Sequence, residues 1–336
     1  MKQFTAVIIS IIVLLILAGC KSSGGGSGSD ATGSAPKTPF LGGTDGLDIE
    51  LLEDSPPEEV TDGGTFPFQA VAILKNEGEF DLKRDDVKVD LIGILPEDFG
   101  VSSDDLNDKR PEDDLSPKIK DSEGNVQDPI MSEVTFPDAD NFFNFEGSVT
   151  GNTVFIFRAD VCYKYQTKAL SRICVLRDLI NIDEDDDVCD PTETKKVFSS
   201  SSPIQVNSFK QTVTGKNKIS FSFDILHSGS GEVFKEGDAT SLPANCPKDS
   251  RTRREKENKV LVNVETGLPN IRCIGLSDGQ GGKSGFITLV NDKRTVTCHQ
   301  ELDFERNDFE TNVDITLDFN YRDDVEREVL VKHLID

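Results

Sequence analysis

From Leu47 onward the chain is made of short segments in which apolar and polar residues alternate, separated by Gly, Asn, Asp and Pro. The clearest example is 312–321, where every second residue is apolar. Successive side chains of a β-strand point to opposite faces, so a period of two indicates a strand with one buried face. Similar segments predict strands near Leu47 and at 66–75, 87–91, 153–165, 172–177, 204–213, 219–225, 260–265, 286–290, 295–302, 312–321 and 328–334.

Almost no helical periodicity separates these strands, which favours antiparallel sheets packed as sandwiches. We therefore expect an all-β fold with two tandem antiparallel immunoglobulin-like β-sandwiches, a number that 336 residues allow. The boundary is expected near residue 200, because a run of four serines precedes Pro203. The predicted domains are 47–200 and 201–336. The first carries a long acidic insertion, from about 97 to 140, without a clear strand period.

The N-terminus has a different pattern. An apolar run at 4–17 follows Lys2 and ends in Leu17-Ala18-Gly19-Cys20. This is typical of a lipoprotein signal peptide at 1–19, cleaved before a lipidated Cys20. A flexible Gly/Ser-rich linker at 20–46 would then tether the domains to the membrane. The alternative is an uncleaved anchor helix of minimal length. Both interpretations predict the extracytoplasmic face of the cell membrane.

Cysteine usage agrees with export. Six further cysteines form an even set that suggests up to three disulfides: Cys162, Cys174, Cys189, Cys246, Cys273 and Cys298. We expect Cys273 to pair with Cys298, and Cys189 to pair with either Cys162 or Cys174. Each predicted domain holds three cysteines, so either one bridge joins the domains or one thiol in each stays free.

The formal charge of −25 argues against nucleic acid and anionic lipid surfaces as partners. Within an acidic run, Asp183, Asp185 and Asp187 are candidates for a Ca²⁺ site, although the spacing is not that of an EF-hand; a solvated loop is the alternative. No other cofactor is expected. One segment of this acidic chain is positively charged, and it contains Arg251, Arg253, Arg254, Lys256 and Lys259. It could bind an acidic loop of a neighbouring copy or of the other domain, or it could be a solvated loop.

Motifs that would carry catalysis are incomplete. Gly282-Lys283-Ser284 resembles the end of a phosphate-binding loop, but position 277 is Ser where that loop needs Gly. His227, His299 and His333 fall in separate predicted strands or strand ends, and no nucleophile elbow is present. The absence of Trp and the presence of only three Tyr leave few aromatic platforms for sugars. We therefore assign no catalytic residue and expect no enzyme.

A short internal repeat links the two halves. Lys75-Asn76-Glu77-Gly78-Glu79-Phe80 and Leu226-His227-Ser228-Gly229-Ser230-Gly231-Glu232 each follow an apolar strand with a glycine turn. This resembles the cell-adhesion-related, CARDB-type immunoglobulin-like domains of bacterial and archaeal surface proteins. The segments Leu47-Asp48-Ile49, Cys162-Tyr163-Lys164-Tyr165-Gln166-Thr167 and Ser220-Phe221-Ser222-Phe223-Asp224-Ile225 look like those of archaeal surface lipoproteins. The resemblance implies fold and location, and no catalytic residues.

Together these features predict a non-enzymatic cell-surface lipoprotein that acts as a structural, adhesion or interaction module. Its partners would be the membrane, through the N-terminal lipid, and other surface proteins or further copies of itself. Two alternative functions predict different partners or sites. An accessory subunit of a secretion, transport or filament assembly would have one discrete partner. A solute-binding or hydrolytic lipoprotein would have a concave site with convergent polar groups and perturbed carboxylate pKa values.

Overall fold

The computed structural model describes residues 38–121, 123–138, 140–182, 188–236, 244–279 and 282–334. The described part of the chain is built of β-strands, with one short helix, α1 (Ser250–Lys256). Three 3-10 turns lie at Arg84–Asp86, Pro96–Phe99 and Ser103–Asp105. The strands are β1 (Leu47–Leu51), β2 (Glu59–Thr61), β3 (Ala70–Asn76), β4 (Val87–Ile92), β5 (Ile119–Lys120), β6 (Val126–Gln127), β7 (Met131–Phe136), β8 (Thr153–Val175), β9 (Phe198–Ser199), β10 (Ile204–Gly215), β11 (Lys218–His227), β12 (Glu232–Phe234), β13 (Lys259–Glu265), β14 (Ile271–Ile274), β15 (Ser284–Thr288), β16 (Lys293–Glu301) and β17 (Phe309–Lys332).

The strands form a large sheet and three smaller ones. The large sheet has the order β15-β13-β17-β8-β4, with β12 and β2 also pairing with β17 and β9 with β8. Two smaller sheets have the orders β1-β3-β7 and β10-β11-β16-β14, and β5 and β6 form a hairpin. All pairings are antiparallel except that of β2 with β17. The predicted all-β class with antiparallel sheets is confirmed.

The centre of the large sheet is a long two-stranded ribbon. β8 and β17 pair without interruption from Val175↔Phe309 to Thr153↔Val331. β8 precedes the predicted boundary at residue 200 and β17 follows it, so the two predicted domains share this ribbon. The chain from Thr38 to Asp336 accordingly forms one compact unit. Residues on both sides of position 200 therefore belong to one sheet, through the pairing of β8 with β17.

Each end of the ribbon is covered by a different small sheet. At one end, Phe155 and Phe157 of β8 pack edge-on against Phe99, with Phe68 and Phe143 completing an aromatic cluster. At the other end, the backbone of Cys174 exchanges two hydrogen bonds with the Gln211 side chain of β10, at 2.7 and 2.8 Å. The result is two sandwich-like halves whose buried residues join in one core.

The two halves repeat a local arrangement around tyrosine. Asn76 accepts a hydrogen bond from the Tyr165 hydroxyl at 3.2 Å, and His227 lies 3.0 Å from the Tyr321 hydroxyl. Tyr165 lies on β8 and Tyr321 at the equivalent place on β17. The part of β8 that pairs with β4 and the part of β17 that pairs with β13 are separated in sequence by the same number of residues as these two tyrosines. The internal repeat in the sequence thus corresponds to a repeated structural element.

Three disulfides join the six cysteines. Cys273–Cys298 forms as expected, between directly paired residues of β14 and β16. Of the two partners expected for Cys189, the structure selects Cys174. The third, Cys162–Cys246, connects β8 to the segment before α1. This disulfide joins a residue of predicted domain 47–200 to a residue of predicted domain 201–336, which is the first of the two alternatives that the cysteine count allows.

The predicted insertion contains more structure than its sequence indicates. Between 97 and 140 lie the β5–β6 hairpin and β7, and β7 pairs with β3 over its whole length. β7 has no clear hydrophobic period in the sequence, because the buried Ser132 takes an inward position that an apolar residue usually holds. Its hydroxyl accepts a hydrogen bond from the Asp113 backbone, which satisfies it inside the protein.

Candidate interaction site

A network of charges around the buried Asp90 and Asp160 carboxylates lies on the outer face of the ribbon. The Asp160 carboxylate is 3% exposed and accepts two parallel hydrogen bonds from the Arg322 guanidinium, both at 2.7 Å. Lys248 lies 2.8 Å from Asp90 and 3.1 Å from Asp160. Burial acts to raise the pKa of Asp160, but Arg322 and Lys248 outweigh it and hold that pKa below its ordinary value.

This charge network borders a groove of about 530 Å³ beside the Cys162–Cys246 disulfide. The segment that carries Cys246 and Lys248 is also held by Asn320, whose side chain donates to the Asn245 carbonyl at 3.2 Å. Lys248 pairs with Asp90 and Asp160, and Asp160 pairs with Arg322, so these ion pairs fasten the segment to the ribbon.

A second group of carboxylates lies nearer the middle of the same face. Glu236 is partly buried, and burial together with the nearby Asp318 raises its pKa to about 7. Asp318 accepts a hydrogen bond from Gln166 at 2.6 Å, and burial also raises its pKa. Lys164 lies 3.4 Å from Asp86 and supplies the opposing charge. These perturbed carboxylates were not singled out in the sequence, because their environment comes from strands far apart in the chain.

A carboxylate, an imidazole and a phenol form a chain around the second tyrosine. Asp292 lies 3.3 Å from Nδ1 of His227, and Nε2 of His227 lies 3.0 Å from the Tyr321 hydroxyl. That hydroxyl also accepts a hydrogen bond from the Gly231 backbone at 2.9 Å. Tyr321 is buried, which raises its pKa and keeps the phenol protonated. The chain orders the glycine turn and offers no activated nucleophile.

The other two histidines lie elsewhere. His299 is on β16, and its Nδ1 atom is buried without a hydrogen-bond partner. His333 follows β17, where it lies 2.7 Å from the buried Asp62 carboxylate. His333 and the Leu334 backbone lower the pKa of Asp62 to about 2. The three histidines are therefore not brought together.

The Gly282-Lys283-Ser284 segment, which resembles the end of a phosphate-binding loop, makes structural contacts. Lys283 forms an ion pair with Glu265 at 2.5 Å, and β15 begins at Ser284. The Gly282 carbonyl accepts a hydrogen bond from the Cys273 backbone at 2.6 Å. A strand follows this lysine, as expected, where a phosphate loop would require a helix.

The basic patch lies largely on α1 instead of in a loop. Asp249 caps the helix by accepting a hydrogen bond from the Thr252 backbone at 2.9 Å. Arg253 is used within the molecule, because it forms ion pairs with Glu232 and Glu257. Arg251 and Arg254 are exposed, and Arg251 lies 3.9 Å from the exposed Glu255 of the same helix.

Two sets of predicted residues lie outside the described residues. Cys20, with the rest of 1–37, is one, and the Ca²⁺ candidates Asp183, Asp185 and Asp187 are the other. Within the described ranges, no cluster of three or more His, Cys, Asp or Glu side chains is arranged to hold a metal ion. In those same ranges, no helix has the length and apolar character needed to cross a membrane.

Comparison with known proteins gives no relative from which residue roles could be transferred. No family model matches the chain, and no curated protein matches it.

Proposed function

We propose that this protein is a non-enzymatic lipoprotein of the cell surface, anchored through Cys20 and acting as a binding module. The observation that carries this proposal is the pairing of all six downstream cysteines in three disulfides. Such a set is typical of proteins that fold outside the reducing cytoplasm.

The contacts of the Asp160 network and of the His227 to Tyr321 chain support binding over catalysis. Asp160 and Asp90 balance the charges of Arg322 and Lys248, and the His227 to Tyr321 chain orders a turn. Their partners and burial give each of these groups a structural explanation. The surface that remains for partners consists of sheet edges and loops, the usual contact elements of sandwich folds.

The proposal is tested on cells that produce the full chain with a C-terminal tag. We expect a membrane-bound protein whose N-terminal peptide, by mass spectrometry, begins at a Cys20 that carries a diacylglyceryl-type lipid. Cys20→Ser should leave the signal peptide uncleaved and the lipid absent, whereas a Cys162→Ser/Cys246→Ser variant should keep both cleavage and lipid. A wild-type chain found unlipidated in the cytoplasm would refute the proposal.

A further inference from the structure

The edges of the two small sheets are not equivalent. In the second half, β16 has a neighbour on each side, β11 and β14. In the first half, β7 pairs with β3 on one side and ends its sheet on the other. The outer edge of β14 is itself partly covered, because the Cys273 backbone donates to the Gly282 carbonyl. The edge of β7 thus differs from the corresponding part of the other half.

The backbone groups along this edge can be assigned from the neighbouring strand. Val71 of β3 bonds toward the β1 side, since its N–H donates to Ser55 and its carbonyl accepts from Leu52. In an antiparallel sheet the backbone groups alternate in direction, so Thr135, which pairs with Val71, points its N–H and carbonyl away from β3. The same alternation directs Met131 and Glu133 outward. No other part of the described chain donates to or accepts from these outward groups.

The side chains at these positions are also accessible. Met131 is 60% exposed, and the preceding Ile130 is 65% exposed. Glu133 is exposed and makes no ion pair within the described residues. Pro129 and Pro137 flank the strand, so the open edge is limited to the length of β7.

We infer that the outer edge of β7 binds an extended strand of a different protein, one that places a basic residue opposite Glu133. Strand addition would supply partners for the outward N–H and carbonyl groups. Charge selects the occupant. A second copy pairing about Glu133 would oppose two carboxylates, and two chains of −25 repel each other, whereas a lysine or arginine strand complements the edge. This inference rests on the proposed binding role and is independent of the lipid at Cys20.

The test uses the full chain in detergent and two fluorescent peptides. The first probe is Thr-Val-Lys-Val-Thr-Val, and the second has Glu in place of Lys. We expect anisotropy titrations to show the Lys peptide binding about fivefold more tightly, the range of a cross-strand charge pair. Glu133→Lys should reverse this preference. Hydrogen exchange should slow at Met131, Glu133 and Thr135 when the Lys peptide is bound.

A matched control is Glu328→Lys, which reverses an exposed charge on β17 and should leave both titrations unchanged. The inference is wrong if the Lys peptide shows no saturable binding up to about 1 mM, a limit typical of weak association. It is also wrong if Glu133→Lys leaves the preference unaltered. A wild-type dimer in sedimentation that Glu133→Lys abolishes would assign the edge to a second copy and overturn it. None of these results bears on lipidation, which is tested separately.

Discussion

At the scale of single residues, two tyrosine hydroxyls determine where glycine is required. A Cβ atom on Gly78 would lie 1.8 Å from the Tyr165 hydroxyl, and one on Gly229 would lie 2.2 Å from the Tyr321 hydroxyl. The sequence shows both glycines as turn residues. It does not show that a buried phenol from a distant strand occupies the space beside each of them.

Gly229→Ala should lower the free energy of unfolding by about 2 kcal/mol, a typical cost of overpacking. Its cause is the contact with the Tyr321 hydroxyl and with Pro203, whose Cβ would lie 2.8 Å away. Urea denaturation provides the measurement. Gly215→Ala is the control, since the nearest atom to its Cβ would be 3.8 Å away. Equal losses in the two variants would show that the hydroxyl is not the cause.

Glu236 should make stability depend on pH. Because burial raises its pKa to about 7, the folded protein holds a proton that the unfolded chain releases near its ordinary value of 4.5. Binding of this proton stabilises the folded protein. The stabilisation is fully present below about pH 4.5 and is lost as pH rises through 7. Glu236→Gln should remove that loss. The free energy of unfolding of the variant, relative to wild type, should therefore be about 1–2 kcal/mol higher at pH 8 than at pH 5.

Urea denaturation at the two pH values checks the Glu236 prediction. Glu328→Gln, on an exposed carboxylate, is the control and should follow the wild-type pH dependence. A Glu236→Gln variant that keeps the full wild-type difference between pH 5 and pH 8 would exclude this carboxyl as the cause.

At the scale of elements, alternation of apolar residues locates strands that bury apolar side chains and misses those that bury polar ones. The two predicted strands at 153–165 and 172–177 are one strand, β8. Between them Thr167 and Ser171 point inward, where their hydroxyls donate to the Ile204 and Lys196 carbonyls. Short polar side chains satisfied in this way leave no hydrophobic period. The same limit concealed β7, and with it the proposed binding edge.

The disulfides should differ in their contributions to stability. In the chain-entropy model, a disulfide stabilises the folded protein more when it closes a longer loop. The three bridges should contribute roughly 4.5, 3.5 and 3 kcal/mol, from the longest loop to the shortest. The corresponding sequence separations are 84 for Cys162–Cys246, 25 for Cys273–Cys298 and 15 for Cys174–Cys189. Paired Cys→Ser variants, compared by urea denaturation, should lose stability in that order. A largest loss for Cys174–Cys189 would contradict it.

At the scale of the whole molecule, the shared ribbon makes the two halves interdependent. Periodicity, cysteine spacing and the glycine repeat predict the all-β class, the Cys273–Cys298 disulfide and the duplication, and they leave two possible partners for Cys189. Pairing between β8 and β17 is not in these local patterns, because it depends on strands more than a hundred residues apart. For the same reason the charge network of Asp160, Arg322 and Lys248 could not be predicted from the sequence.

The protein should therefore unfold as one cooperative unit. We expect a single calorimetric transition whose calorimetric and van't Hoff enthalpies agree. Separate chains of 38–200 and 201–334 should each lack dispersed NMR spectra, because each would expose half of the ribbon, and co-expression should restore a native complex. Two resolved transitions, or a well-folded isolated half, would show instead that the halves are autonomous.

The position of β17 also sets the order of events during biosynthesis. Among the described strands β17 comes latest in the sequence, yet it is the central strand of the large sheet and pairs with β8 from end to end. The large sheet cannot close until Phe309–Lys332 has emerged. For a chain that is exported N-terminus first, as proposed here, the polypeptide stays loosely structured while it threads through the translocation channel. Folding and oxidation of Cys162 with Cys246 then follow release on the far side.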